Sequence, residues 1–326
     1  MGIVHFLNVK DGDCSIIQHS SGRVSMIDIC NGNPGKQYVK DSQDSIRNIL
    51  ESLQGNRNQK NHPVNPIDYL KSFGIKSIFR FILTHPDMDH MDGIKRLFSE
   101  FEVNCFWDTA NNKKMSKGDF RSYDEKDWIY YQQIRKTAKN YYADSVNCYY
   151  NADNRNGEGD GDFLQILCPT QELIKDVNQH GDYNNCSYVI LYNESNRKIL
   201  FCGDGEEKEW NILLKKYPKT LKNIDVLIAP HHGRKSGGND CYLDILNPKL
   251  TLFGNAKSEF LNYNDWYRRN LMYFTNNQGG TFILSHLNGK IEVYCTNVSF
   301  ADQVTEYLGN FTYFDDTYGA WYLLTI

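Results

Sequence analysis

Two histidines and two aspartates fall within six residues: His85-Pro86-Asp87-Met88-Asp89-His90. Imidazole and carboxylate together are ligands for Zn²⁺, Mn²⁺ or Fe. A turn can aim His85 and Asp87 to one side and Asp89 and His90 to the other. That arrangement holds two cations side by side and suits hydrolysis by a metal-bound hydroxide. Two further ligand-type positions follow apolar runs. Asp204 stands in ILFCGDGE, where a carboxylate between glycines could bridge two cations or merely cap the next helix. His231-His232-Gly233 follows DVLIAP, and adjacent histidines after a buried run are seldom needed for packing.

The elements around these residues are legible from periodicity. Val4 to Val9, Ser15 to Gln18 and Val24 to Ile29 read as strands separated by turns at Asp11-Gly12-Asp13 and Ser20-Ser21-Gly22. Helical spacing predicts a helix from Asp41 to Leu53 and another from Pro66 to Phe73, the second with Pro at its start and Gly74 at its end. Ser77 to Leu83 is a strand running straight into His85. Strands return at Phe163 to Leu167, Ser187 to Tyr192, Lys198 to Cys202 and Val226 to Ala229, with a helix from about Glu206 to Tyr217. The mixture gives an α/β or α+β class. Residues 111–142 interleave lysines and arginines with Trp128, Tyr123, Tyr130, Tyr131, Tyr141 and Tyr142. Such a segment either binds backbone phosphates and stacks bases, or packs its aromatics on the sheet with its charges in water. Residues 151–162 read as a surface loop.

The ordered motifs resemble the metallo-β-lactamase superfamily, and within it the soluble hydrolase domain of ComEC-type DNA-uptake proteins. VHFLNVKDGDCSII is similar to the family's opening strand and turn. GRVSMIDICNG resembles the strand that places an acid near the site, here Asp28. YLKSFGIKSIFRFILTHPDMDHMDG, the run from Asn184 to Val189, KILFCGDGEEKE and DVLIAPHHG complete the likeness. It implies an α+β fold, the four-layer αββα sandwich, as one domain over 1–326 with an insertion at about 111–160. It implies His85, Asp87, Asp89, His90, Asp204 and one of His231 and His232 as metal ligands. Asp89 and Asp204 would orient the attacking water, and Asp28 would orient a ligand histidine. Two divalent ions, Zn²⁺ or Mn²⁺, are the implied cofactors.

The sequence also departs from that pattern. Asp87 stands where the superfamily commonly has His, which makes the site harder. The usual third histidine is missing. Asn184 occupies its place and His180 lies four residues earlier, so either is a weak candidate and the second metal depends on them. After HHG the chain has Arg234 and Lys235, which as substrate-binding cations would favour an anion. The expected activity is metal-dependent hydrolysis of a phosphodiester, as a nuclease or phosphodiesterase on a nucleic acid or nucleotide. A small-molecule ester, lactam or lactone hydrolase uses the same metals, and a binding or regulatory subunit with a weak site fits the missing histidine.

Composition bounds these readings. The 326 residues suffice for one large domain or two, and the net charge of −4 argues against wholesale nucleic-acid coating. Mean hydropathy is −0.60 and no run approaches the ~20 apolar residues of a membrane span, so no membrane association is expected. MGIVHFLNVK lacks the pattern of a signal peptide. The nine cysteines form no CxxC pair, so a cytoplasmic location is expected. Nothing in the sequence names a protein partner.

Overall fold

The computed structural model describes residues 1–34, 58–141, 162–235, 240–256 and 260–326. The helix expected from Asp41 to Leu53, and the 151–162 loop apart from Asp162, lie outside the described residues.

The described strands are β1 (Ile3–Phe6), β2 (Ser15–Gln18), β3 (Val24–Ile27), β4 (Ser77–Ile82), β5 (Glu102–Trp107), β6 (Leu164–Cys168), β7 (Val189–Glu194) and β8 (Arg197–Phe201). They continue as β9 (Val226–Ile228), β10 (Leu250–Phe253), β11 (Tyr273–Thr275), β12 (Phe282–Leu287), β13 (Lys290–Cys295), β14 (Phe314–Asp315) and β15 (Ala320–Thr325). One sheet runs β14-β15-β13-β12-β1-β2-β3-β4-β5 and the other β11-β10-β9-β8-β7-β6. Strands from both ends of the chain therefore share one sheet, with Val4 of β1 opposite Leu284 of β12.

The central strands are covered on both faces and carry consecutive apolar residues, as at Phe81-Ile82 of β4, whereas β13 alternates Lys290, Ile291, Glu292 and Val293. Ile190 and Phe201 of one sheet and Val4, Phe6 and Ile82 of the other fill the space between the sheets. The outer face of the first sheet is covered by α1 (Pro66–Ser72), α2 (Ile94–Glu100) and α3 (Glu125–Tyr141), through Leu70, Leu97 and Tyr131. The outer face of the second is covered by α4 (Gln171–His180), α5 (Glu207–Lys216) and α6 (Tyr242–Leu246), through Val177, Leu213 and Leu246. The order helix, sheet, sheet, helix is the expected αββα sandwich.

Local chemistry explains the element ends. Asn65 caps α1 by accepting from the backbone N–H groups of Ile67 and Asp68, with Pro66 at the first helical position. β3 stops at Ile27, short of the expected Ile29, because Asp28 adopts φ 58° and turns the chain out of the sheet. β1 stops at Phe6, short of Val9, because the chain turns just beyond Leu7, where Val9 N–H donates back to the Leu7 carbonyl at 3.0 Å. The basic-aromatic segment is resolved for Trp128 and Tyr131: both are buried against the first sheet and are unavailable for base stacking. Tyr142 lies outside the described residues. No helix among the described residues is long and apolar enough to cross a membrane.

Candidate metal centre

The candidate ligands leave strand ends at one edge of the sandwich. β3 and β4 are parallel, as are β8 and β9, so their C-terminal ends deliver Asp28, His85, Asp204 and the histidine pair together. The two sheets are joined beside the site by Tyr188 N–H donating to the Thr84 carbonyl at 3.0 Å. His231 N–H donates to the Gly203 carbonyl at 2.8 Å, tying the histidine pair to the Asp204 turn.

Asp204 lies at the middle of the cluster. Its Oδ1 is 3.2 Å from His90 Nε2 and 3.5 Å from His232 Nε2. Its Oδ2 is 3.7 Å from His85 Nε2 and 3.5 Å from His231 Nε2. One carboxylate thus faces two separate pairs of imidazoles. His231 and His232 both adopt left-handed backbone, at φ 51° and 57°, which sends neighbouring rings to opposite oxygens. Such strain in two non-glycine residues persists only where the surroundings over-determine it.

Groups of ligand atoms within 4.8 Å of one another are formed by His85, His90 and Asp204, by Asp89, His90 and His232, and by Asp13, Asp204 and His232. Asp13 is the residue that sequence reasoning missed. Its Oδ1 lies 3.0 Å from His232 Nδ1, and its only signal was its place in the Asp11-Gly12-Asp13 turn. Thr84 was missed as well. Its N–H and hydroxyl both donate to Asp28 at 2.7 Å, and Asp28 Oδ2 meets His90 Nδ1 at 2.7 Å. Asp28 therefore makes the contact expected of an acid that orients a ligand histidine.

The electrostatics match a place for cations. Burial and neighbouring His90 lower the His85 pKa, leaving a neutral ring. Burial would also lower His90 and His232, but for His90 the carboxylates Asp204 and Asp28 outweigh it, and for His232 Asp204 and Asp13 do, so both are pushed up. Burial would raise Asp204, yet His232, His90 and His85 hold it well below the usual carboxylate range. His85 Nε2, His90 Nε2, His232 Nε2 and Asp204 Oδ1 are buried with no hydrogen-bond partner. Nitrogen and oxygen atoms orphaned in this way around one carboxylate fit a divalent metal.

The other expected residues are placed differently. Asp87 is part-exposed, 3.9 Å from His85 Nε2, and paired with Lys113. Asn184 Nδ2 donates at 3.1 Å to Glu206 Oε1, the oxygen that lies 3.5 Å from His231 Nδ1. His180 is exposed at the end of α4, where it meets Asp176 at 3.0 Å, and it takes no part in the cluster. Arg234 lies with its guanidinium 5.3 Å from the Phe260 ring, and Lys235 is exposed. Beside the cluster opens a cleft of about 550 Å³ whose lining includes Asp87, Asp89, Lys114, Arg121, Tyr123 and Asn184. Arg234 and Lys235 are not among its lining residues.

No family model matches the chain. Among curated proteins it is similar to Recombination protein 2 of Haemophilus influenzae, 24% identical over 200 residues, covering 61% of this chain and 20% of that protein. The matched part thus spans about a fifth of that relative's length. Among solved structures it is similar to the metallo-beta-lactamase fold protein YhfI from Bacillus subtilis, with 10% identity, TM-score 0.42, and 86% of this chain and 98% of that one covered. A putative zinc-dependent hydrolase of the metallo-beta-lactamase superfamily from Thermotoga maritima shows 8% identity, TM-score 0.34, and coverage of 82% and 85%. A diphosphatase from the PhnP family shows 9% identity, TM-score 0.38, and coverage of 87% and 97%.

Proposed function

We propose that the protein is a metal-dependent hydrolase of the metallo-β-lactamase kind that cleaves a phosphodiester in a nucleic acid or nucleotide. The observation that carries the metal centre is Asp204, whose two oxygens face two pairs of imidazoles. His85, His90, His232, Asp89 and Asp204 would hold the metal, with Asp28 fixing the His90 ring. A bound divalent ion lowers the pKa of water and withdraws charge from a phosphoryl oxygen. The chain's own groups do the rest. Asp89, held well below the usual carboxylate range because His232 and His90 outweigh its burial, is ionised and accepts a hydrogen bond from an attacking water. Lys114 and Arg121, in the cleft wall, supply positive charge to an anionic substrate. The relative named Recombination protein 2 supports nucleic acid as the substrate.

The test is a substrate panel of single- and double-stranded DNA, RNA and bis-p-nitrophenyl phosphate, with Mn²⁺ or Zn²⁺. Asp89→Ala and His90→Ala should abolish turnover. Equal activity in the variants and the wild type overturns the reading. Turnover of lactams or lactones with no loss of nucleic acid moves the substrate to small molecules.

A further inference from the structure

The two sides of Asp204 are not equivalent. On the Oδ1 side stand His90 and His232, with Asp89 and Asp13 in reach of His232. On the Oδ2 side stand His85 and His231, with Glu206 Oε1 3.5 Å from His231 Nδ1, and Asp87 there carries the Lys113 ammonium on its Oδ1. That same Asp87 oxygen is the one nearest His85 Nε2, at 3.9 Å. A cation bound to both His85 and Asp87 would have to share this carboxylate with an ammonium group.

Lys113 is held in place rather than swinging freely. Its N–H donates to Asn111 Oδ1 at 3.2 Å, and its Nζ lies 5.5 Å from the Tyr183 ring. The next residue back, Asn112, is pinned to α4: its N–H donates to Asn178 Oδ1 at 2.8 Å and its side chain to the Asn178 carbonyl at 3.2 Å. The Tyr183 hydroxyl donates to Asn112 Oδ1 at 2.8 Å. Asn184, which stands where the resembled family has a further histidine, donates to Glu206 Oε1 at 3.1 Å. So the acid on this side is paired with an ammonium group, and His85 Nε2 is orphaned here as His90 Nε2, His232 Nε2 and Asp204 Oδ1 are on the other.

We propose that Lys113 is a built-in cation that takes the place of one of the two metal ions, so that the chain binds a single divalent ion tightly, at the Asp204 carboxylate and not at Asp87. A fixed positive charge on Asp87 repels a second divalent ion and removes its carboxylate ligand. This rests on the metal-centre reading above and specifies its stoichiometry.

The test counts metal and needs no substrate. Wild-type protein stripped with a chelator is loaded with Zn²⁺ or Mn²⁺, desalted and analysed for metal, then titrated calorimetrically. The wild type should retain one ion per chain. Lys113→Met should take up a second ion at least tenfold more tightly than the wild type does, while Asp87→Asn should keep the one tight ion. Circular dichroism and melting temperature check that each variant is folded. Two ions held with similar affinity by the wild type, or no gain in Lys113→Met, would overturn the role of Lys113 and leave the metal centre standing. A folded wild type that binds no ion overturns the metal centre itself.

Discussion

Asp28 and His90 meet at 2.7 Å between Oδ2 and Nδ1, which leaves His90 Nε2 turned toward Asp204 Oδ1 at 3.2 Å. The aspartate is itself fixed by two donors from Thr84. A ligand imidazole held through its other nitrogen is a better and better-aimed ligand. Asp28→Asn should therefore weaken metal binding by roughly 10- to 100-fold. Competition against a chromogenic chelator measures this, and unchanged affinity would show that the contact plays no part in ligation.

Gly12 and Gly22 offer a paired comparison. Their φ angles are nearly the same, 84° and 85°. A Cβ on Gly12 would sit 2.0 Å from the Asp89 carbonyl oxygen, whereas one on Gly22 would meet nothing within 4 Å. Gly22→Ala should cost only the backbone strain, about 1 kcal/mol. Gly12→Ala should cost at least about 2 kcal/mol and also weaken metal binding, because relief must displace the Asp89-His90 turn. Denaturant melts of both variants give the difference, and equal losses would count against the close approach.

Arg80 is wholly buried and donates to Asp162 at 2.7 Å and to Ser25 at 2.7 Å. Burial would raise the Asp162 pKa, but Ser21 and Arg80 outweigh it and hold the carboxyl down. Removing Arg80 leaves the buried carboxylate, among the described residues, only the half-exposed Arg23 at 3.4 Å and the Ser21 hydroxyl at 2.7 Å as partners. Arg80→Met should destabilise the fold by about 2–3 kcal/mol, and adding Asp162→Asn should recover part of that. A double variant no more stable than Arg80→Met contradicts the assignment.

His19 sets an acid limit on stability. Its Nε2 meets Ser25 Oγ at 2.8 Å, and burial, partly offset by Asp162, lowers its pKa from 6.5 to about 4. The unfolded chain therefore binds the proton first as pH falls. The stabilisation is full above about pH 6.5 and is lost progressively toward pH 4, at a cost of roughly 2 kcal/mol by pH 5. His19→Gln should flatten the fall in melting temperature between pH 7 and pH 5, and an unchanged slope would exclude His19 as its source.

Much of this molecule was readable one segment at a time. The strands flanking the site, the helix opened by Pro66, the cluster His85, Asp87, Asp89 and His90 and the pair His231-His232 follow from local pattern, because side-chain periodicity and turn chemistry act over a few residues, while Asp204 read locally as either a ligand or a helix cap. The sequence by itself determined which residue types stand at strand ends, and hence the kind of chemistry available. Only the tertiary structure decided how they meet. It placed Asp13 beside His232 across more than two hundred residues, joined Asn184 to Glu206, left His180 in solvent, and laid Lys113 on Asp87. It also buried Trp128 and Tyr131 against the first sheet. The physical reason is that ligation and ion pairing depend on distances of a few Å between segments far apart in the chain, and those distances are set by the packing of two sheets.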